Sequence, residues 1–479
     1  MEDRKLLAGV VNIEIDPVVA AGTINLVGDS SNNSVIIRQT VNPNEYVITR
    51  PVGDSTLFQL NGAGVTQPSF TVNAINGDIE VNLGDGNDRF EFLGVSAGST
   101  RSHAHQDLII NNEDGSNVNV IQDVIIHGDL SVMKDAASSG YSELSIISSQ
   151  VNGYTTIDNV GTGGDTKTFI SNVNLQGGAA ASVLSILNGN GADLIDIQGN
   201  TQIGTGGFIG AQPIVSIDNG DGGSRTTFTG ASNVAGSGTT TIYGDVNINN
   251  GDNIFGIMDV VTFNQVNVLG EVDVDNNDGM SQVLVDGSDI GSHRAAGLGG
   301  KLEVQNGIGI DRFEMNDSNA QYGVEIDNGT GVWGSDTSIS GGSIGTHASV
   351  AGTALEIIND NGNDVVNISG TTFGAGVDLD SMGNGMNAIT ISDDASMPML
   401  VIRGGNEDDD VTINNSTITD DVDIQLGLGQ DSLIIIDVDP STQWPSALLG
   451  SIVLDGGDGV DESNLNALAL GALDFELIV

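Results

Sequence analysis

One pattern recurs through this chain and leaves few folds open to it. It is apolar-x-apolar, a loop of Gly, Asn and Asp, one further Asp, then apolar-x-apolar again. Val81 leads through Gly-Asp-Gly-Asn to Asp88, followed by Phe90 and Phe92. Ile186 leads in the same way to Asp193, Ile195 and Ile197, and Val304 to Asp311, Phe313 and Met315. Ile357 leads to Asp364, Val366 and Ile368, and Ile424 to Asp431, Leu433 and Ile435. Alternation of apolar residues is the period of a strand with one buried face. Gly, Asn and Asp tolerate positive φ and bond their own backbone, so they mark tight corners.

Weaker copies extend the series of anchors to Val81, Ile110, Val132, Ile157, Ile186, Ile217, Ile248, Val274, Val304, Ile326, Ile357, Leu379, Ile402, Ile424 and Leu454. Neighbouring anchors are 22 to 31 residues apart, clustering near 22 and near 30. A repeat of this length is one turn of a solenoid, too short for a propeller blade or an immunoglobulin-like unit. The longer turns carry insertions that must leave at a corner, where the next turn does not stack. Residues 440–450 and 341–352 read as such insertions. The fold class expected is all-β: a right-handed parallel β-helix over residues 77–464, its hand taken from the commoner case. Residues 1–76 hold four of the eight prolines and several alternating runs, which read as an antiparallel N-terminal β cap. Residues 465–479 end in an apolar run that reads as a C-terminal cap or docking strand. An open solenoid end needs a cap or a partner, so self-association end to end or laterally is the partner expectation.

Charge narrows the partners. Thirteen Lys and Arg against 64 Asp and Glu give a net charge of −51. Such a surface repels nucleic acid and anionic membranes and attracts divalent cations. With no cysteine, disulfides and thiolate metal sites are excluded. No run approaches the apolar length of a membrane-spanning helix.

The acidic loops are the first candidates for chemistry. Gly84-Asp-Gly-Asn-Asp88 and Gly456-Gly-Asp-Gly-Val-Asp461 resemble the calcium-binding nonapeptide of hemolysin-type repeats. In that family backbone carbonyls and the Asp supply hard oxygen ligands. The resemblance implies Ca2+ as cofactor and Asp85, Asp88, Asp193, Asp360, Asp364, Asp431, Asp458 and Asp461 as ligands. Leu83 and Ser463 depart from the nonapeptide pattern, and the loops come once per turn rather than twice. The other reading of the same residues is structural: their side chains satisfy backbone donors at the corners. His103 and His105 would share one face of a strand and could bind a metal with a carboxylate. Their place in an apparent insertion, residues 96–106, favours a solvated loop instead. No Ser/His/Asp order, HExxH or P-loop is present, and the basic residues are scattered. The expectation is therefore a non-enzyme, with a carbohydrate-active lyase or glycosidase built on paired carboxylates as the alternative.

The first residues, Met1-Glu-Asp-Arg-Lys-Leu-Leu-Ala8, resemble the short LE-(P/D)-R-x-LL-(A/S) motif of exported planctomycete proteins. Glu2, Arg4, Leu6 and Leu7 match, and Met1 stands where that family has Leu. The resemblance implies export and a place on the cell surface or outside the cell. With the acidic repeats, it gives the functional expectation: a structural protein such as a self-associating fibre, surface-layer or adhesin-stalk subunit, with cell-surface glycans as further partners and a monomeric adhesin or glycan-binding rod as the other alternative beside the enzyme.

Overall fold

The computed structural model describes residues 9–16, 22–94, 101–135, 138–160, 164–178, 182–205, 213–230, 238–253, 257–292, 300–331, 333–380, 383–436, 452–459 and 462–465. Among them there is no helix, and parallel strands stack turn upon turn as a β-solenoid. Two compact units divide the chain, Met1–Ile248 and Asn249–Val479.

Each complete turn has three sides. In the turn that begins at Ile79, the first side is Ile79–Asn82, the second Arg89–Leu93 and the third Ser102–Ala104. The sequence anchors lie on the first side and stack on one another in register. In the first unit Leu26 pairs with Val81, and the ladder continues through Ile110, Val132, Ile157, Ile186 and Ile217. In the second unit it runs from Val274 through Val304, Ile326, Ile357, Leu379, Ile402 and Ile424 to Leu454. The apolar pair after each loop forms a second ladder. Phe313 and Met315 stack on Val283 and Val285 below and on Thr337 and Ile339 above. Residues such as Ile186, Phe228, Phe263, Ile326 and Ile368 are buried. At roughly 1.5–3 kcal/mol per fully buried aliphatic or Phe side chain, these ladders are the main source of stability.

Two corner devices make the stack possible. Between the second and third sides one residue per turn takes positive φ: Asp123 (55°), Ser148 (50°) and Asn172 (55°) in the first unit, Gln265 (56°), Asp317 (43°) and Asn415 (47°) in the second. Just after it a buried Ser or Thr recurs, and its hydroxyl donates to the end of the preceding strand. Ser149 Oγ donates to the Ile147 carbonyl at 2.8 Å, Ser318 Oγ to Asn316 at 2.7 Å and Ser416 Oγ to Asn414 at 3.0 Å. Between the first and second sides the chain passes so close to its neighbour that side chains are excluded. A Cβ at Gly309 would overlap the Gly279 carbonyl oxygen, and one at Gly140 the Gly115 carbonyl.

The N-terminal strands form an antiparallel cap. Val10–Asp16 runs antiparallel to Thr23–Val27, and Ser34–Gln39 antiparallel to Glu45–Thr49, which pairs in turn with Ser69–Asn73. Thr23–Val27 and Ser34–Gln39 then pair in parallel with the first and second sides of the first complete turn.

Two sequence expectations need correction. Residues 341–352 are not one insertion. Ser343–Ile344 is a third-side strand stacked on Asn319–Ala320, and the Gly345 and His347 N–H groups beyond it still donate to the Ala320 and Gln321 carbonyls of the turn below. The other segment read as an insertion, 440–450, lies outside the described residues, as do 466–479 and the N-terminal motif at 1–8. Residues 102–104 are likewise a strand rather than loop, because Ser102 and Ala104 point inward and fill the third side.

Candidate functional site

The acidic corners follow from the turn geometry. At the start of the second side several turns place an Asp that turns inward, and its carboxylate accepts bonds from the corresponding position of the turn below, where Asn, Ser or Thr often stands. Asp88 Oδ1 accepts the Asn33 backbone N–H at 2.7 Å. Asp193 Oδ1 accepts both the N–H of Thr166 at 3.1 Å and its hydroxyl at 2.5 Å. Asp364 Oδ1 does the same for Ser335, at 2.7 and 2.9 Å. Asp431 Oδ1 accepts the Asp409 N–H at 2.9 Å, and Asp409 in turn accepts from Asn387 and Gly405. These four residues from the predicted ligand set are therefore buried and committed to turn-to-turn bonds.

Burial sets their protonation. Desolvation pushes Asp88 and Asp193 up to about 7, against the lowering effect of the bonds they accept. Asp311, bonded to Ser281, is pushed up to about 6 for the same reason. Asp364 and Asp409 move in the same direction, again through desolvation first.

The exposed members of the predicted set sit beside the buried ones. Asp85 is exposed and Asp360 half-buried, and their charges help raise Asp88 and Asp364. Asp458 lies in the short strand Asp458–Gly459, and Asp461 lies outside the described residues. Among the described residues no group of three His, Asp or Glu side chains is arranged to hold a metal ion.

Sequence reasoning missed a feature that runs beside the aspartates. The residue two beyond many anchors is a buried asparagine, and these asparagines bond to one another from turn to turn. In the first unit Asn159 Nδ2 donates to Asn188 Oδ1 at 3.1 Å, and Asn188 Nδ2 to Asn219 Oδ1 at 3.0 Å. In the second unit the ladder passes from Asn250 through Asn276, Asn306 and Asn328 to Asn359, with bonds of 2.7, 2.7, 2.9 and 2.7 Å. Lys134 occupies the equivalent place beyond Val132, and its ammonium is anchored 2.5 Å from the Gly140 carbonyl. The signal was present in the sequence as Asn at a fixed offset from the anchor.

The third side carries a further cluster. His103 faces outward from the strand Ser102–Ala104, His105 follows just beyond its end, and His127 stands beside them on the next turn. The three rings stack within 15° of parallel, with centroids 5.2 to 6.1 Å apart. His127 had not been grouped with the other two, since only the register of the turns brings it there.

Comparisons with protein-family models, with curated proteins and with solved structures found no match for this chain. The fold therefore defines the class, a repeat protein of the β-solenoid type, and its own geometry carries the functional argument. No helix among the described residues is long and apolar enough to cross a membrane.

Proposed function

We propose that the protein is an extracellular structural element, a self-associating fibre, surface-layer or stalk subunit whose exposed acidic loops attract divalent cations. The observation that carries this reading is the use of the polar corner residues. Asn, Asp and Ser side chains, the usual material of an active site, are here buried and bonded from one turn to the next. They build length and stiffness. The net charge of −51 supports the cation part, because a surface of that density needs screening before copies can pack side by side. The N-terminal resemblance to exported planctomycete proteins supports the location. Negative-stain electron microscopy of the purified chain tests the assembly. Fibres or sheets in millimolar CaCl2 that disperse in EDTA are the expected result. Single particles, unchanged by either treatment, would overturn both self-association and its dependence on calcium.

A second reading, a carbohydrate-active enzyme, is favoured by one observation in the second unit. Glu303, Glu325 and Glu356 stack in register on the outward face of the first side. Adjacent strands stand about 4.8 Å apart, close to the carboxyl separation of about 5–5.5 Å in retaining glycosidases. Beside them lies a cavity of about 420 Å³ lined by Lys301, Tyr322, Val324 and Glu356. Lys301 pairs with Glu325 at 2.9 Å. Desolvation raises both Glu303 and Glu356, as a general acid requires. Hydrolysis of a polysaccharide in a glycan panel, abolished in Glu356→Gln, is the result this reading expects. No turnover across the panel would leave the scaffold standing alone.

A further inference from the structure

We propose that the cavity beside Glu356 is a binding site for an amino sugar, whose primary ammonium group sits on the Glu356 carboxylate. The fold builds this cavity at the corner between the third side and the first. After the third-side strand Ser343–Ile344 the chain makes a short overhang, then returns to the first side in the strand Thr353–Ile358. The overhang is pinned in place. The Gly345 and His347 N–H groups donate to the Ala320 and Gln321 carbonyls at 2.8 and 3.0 Å, and the Val350 N–H to the His347 carbonyl at 2.9 Å. The His347 ring stacks on Tyr322, with centroids 4.3 Å apart. A bulge at Ala354, the extra residue in the pairing with Gly376–Asp380, bends the start of the returning strand. Gly323 immediately precedes its first-side strand, as Lys301 does one turn below. It brings no side chain to the corner, and a Cβ there would lie 2.8 Å from the Ala354 carbonyl oxygen. The space left is about 420 Å³, within the size range of small-ligand sites.

The charges select the ligand. Glu303, Glu325, Glu356 and Asp378 stand opposite one another on successive first-side strands. Two of the four are already paired. Glu325 accepts from Lys301 Nζ at 2.9 Å, and Asp378 from Arg403 at 3.1 Å. Glu356 lies between those pairs and lines the cavity. Among the described residues, no side chain bonds to its carboxylate. Desolvation first, and then the charges of Glu325 and Asp378, work against its ionisation, and an incoming cation reverses that balance. Carboxylates outnumber the cations Lys301 and Arg403 along this column, so an anionic ligand is repelled and an ammonium group is drawn in.

The rest of the wall is neutral. Val350, Ala351 and Ala354 offer apolar surface to the C–H face of a sugar ring, and Ser349 and Thr353 offer hydroxyls to the ring hydroxyls. A lysine side chain would bring the same ammonium group on a bare methylene stem and leave those hydroxyls unused. An N-acetylated sugar fits the polar wall but has lost the charge that Glu356 requires.

Saturation-transfer NMR of the full chain with D-glucosamine tests the site. Physiological ionic strength screens loose attraction to the acidic surface. Glucosamine is expected to bind, with N-acetylglucosamine and glucose weaker by about tenfold or more, since each lacks the charged hydrogen bond. Glu356→Gln keeps the shape and removes the charge, and should weaken glucosamine by about the same factor. Ala351→Trp, at an exposed position on the cavity wall, should block the site without altering any charge. Asp423→Asn, further along the first side and outside the cavity, should leave binding unchanged. An absence of transfer to glucosamine, equal affinity for N-acetylglucosamine, equal loss in Asp423→Asn, or full binding in both Glu356→Gln and Ala351→Trp would each overturn the site. Tighter binding of Nα-acetyl-lysinamide than of glucosamine would overturn the amino sugar as its ligand. The site requires binding and no turnover. Binding without hydrolysis would therefore remove the enzyme reading and keep the site, while fibres formed by a chain that binds no glucosamine would remove the site and keep the scaffold.

Discussion

Replacing Asn306 by Ala is expected to destabilise the second unit by roughly 2–5 kcal/mol, because it leaves buried polar groups without partners. Asn306 sits at the middle of its ladder and is 8% exposed. Its Oδ1 accepts from Asn276 Nδ2 at 2.7 Å and from Ser281 Oγ at 3.0 Å, while its own Nδ2 donates to Asn328 Oδ1 at 2.9 Å. The truncation removes all three bonds and opens a gap that the rigid turns above and below cannot close. Asn306→Asp should be at least as damaging at neutral pH. It keeps the acceptor, loses the donor to Asn328 and buries a charge. The control lies one residue away: Gln305 is exposed on the same turn, and Gln305→Ala should stay within about 0.5 kcal/mol of the parent. Urea unfolding followed by circular dichroism, with hydrogen exchange to locate the damage, measures the difference. If Asn306→Ala is no less stable than Gln305→Ala, the ladder is a consequence of stacking and not one of its causes.

The same ladder shows where sequence reasoning reached and where it stopped. The anchors were legible because a buried aliphatic pair repeated at nearly constant offsets can only stack, and Ile357, Leu379, Ile402 and Ile424 do so in register. The corner aspartates were legible as residues, but their direction was not. In one dimension Asp85 and Asp88 are two acids in a glycine loop. In three, the corner turns one to solvent and the other to the Asn33 backbone. Calcium ligation and backbone capping call for the same residue types, so composition cannot separate them. The third side was hardest. Strands such as Gln150–Val151 and Thr417–Ile418 span only two residues, too few to show a period. Without that side the turn could not be closed on paper, and His127 could not be placed next to His105.

The aspartates themselves give the protein an unusual response to pH. A carboxyl raised in the fold binds its proton more tightly there than in the unfolded chain, so its contribution is complete below the unfolded value, about 3.9. That contribution is lost as pH rises through the folded value, which is about 7 for Asp88 and Asp193 and about 6 for Asp311. Asp364 and Asp409 act in the same sense. The geometry agrees for Asp88 and Asp193: each has a buried Oδ2 with no hydrogen-bond partner, which is far less costly on a neutral acid than on a carboxylate. Since one pKa unit corresponds to about 1.4 kcal/mol, each of these two groups removes a few kcal/mol between pH 4 and pH 8. Repulsion among the surface carboxylates grows over the same range and adds to the loss. Thermal unfolding should therefore occur at a distinctly higher temperature at pH 5 than at pH 8, the reverse of a protein held together by ionised salt bridges. Asp88→Asn removes the titrating group while keeping an acceptor for the Asn33 N–H, and relieves its repulsion with Asp29 and Asp85. It should gain stability over the parent at pH 8, gain little or nothing at pH 5, and so flatten the profile. A parent protein more stable at pH 8 than at pH 5 would mean that the buried aspartates are ionised in the fold, with their unpartnered oxygens neutralised by something other than a proton.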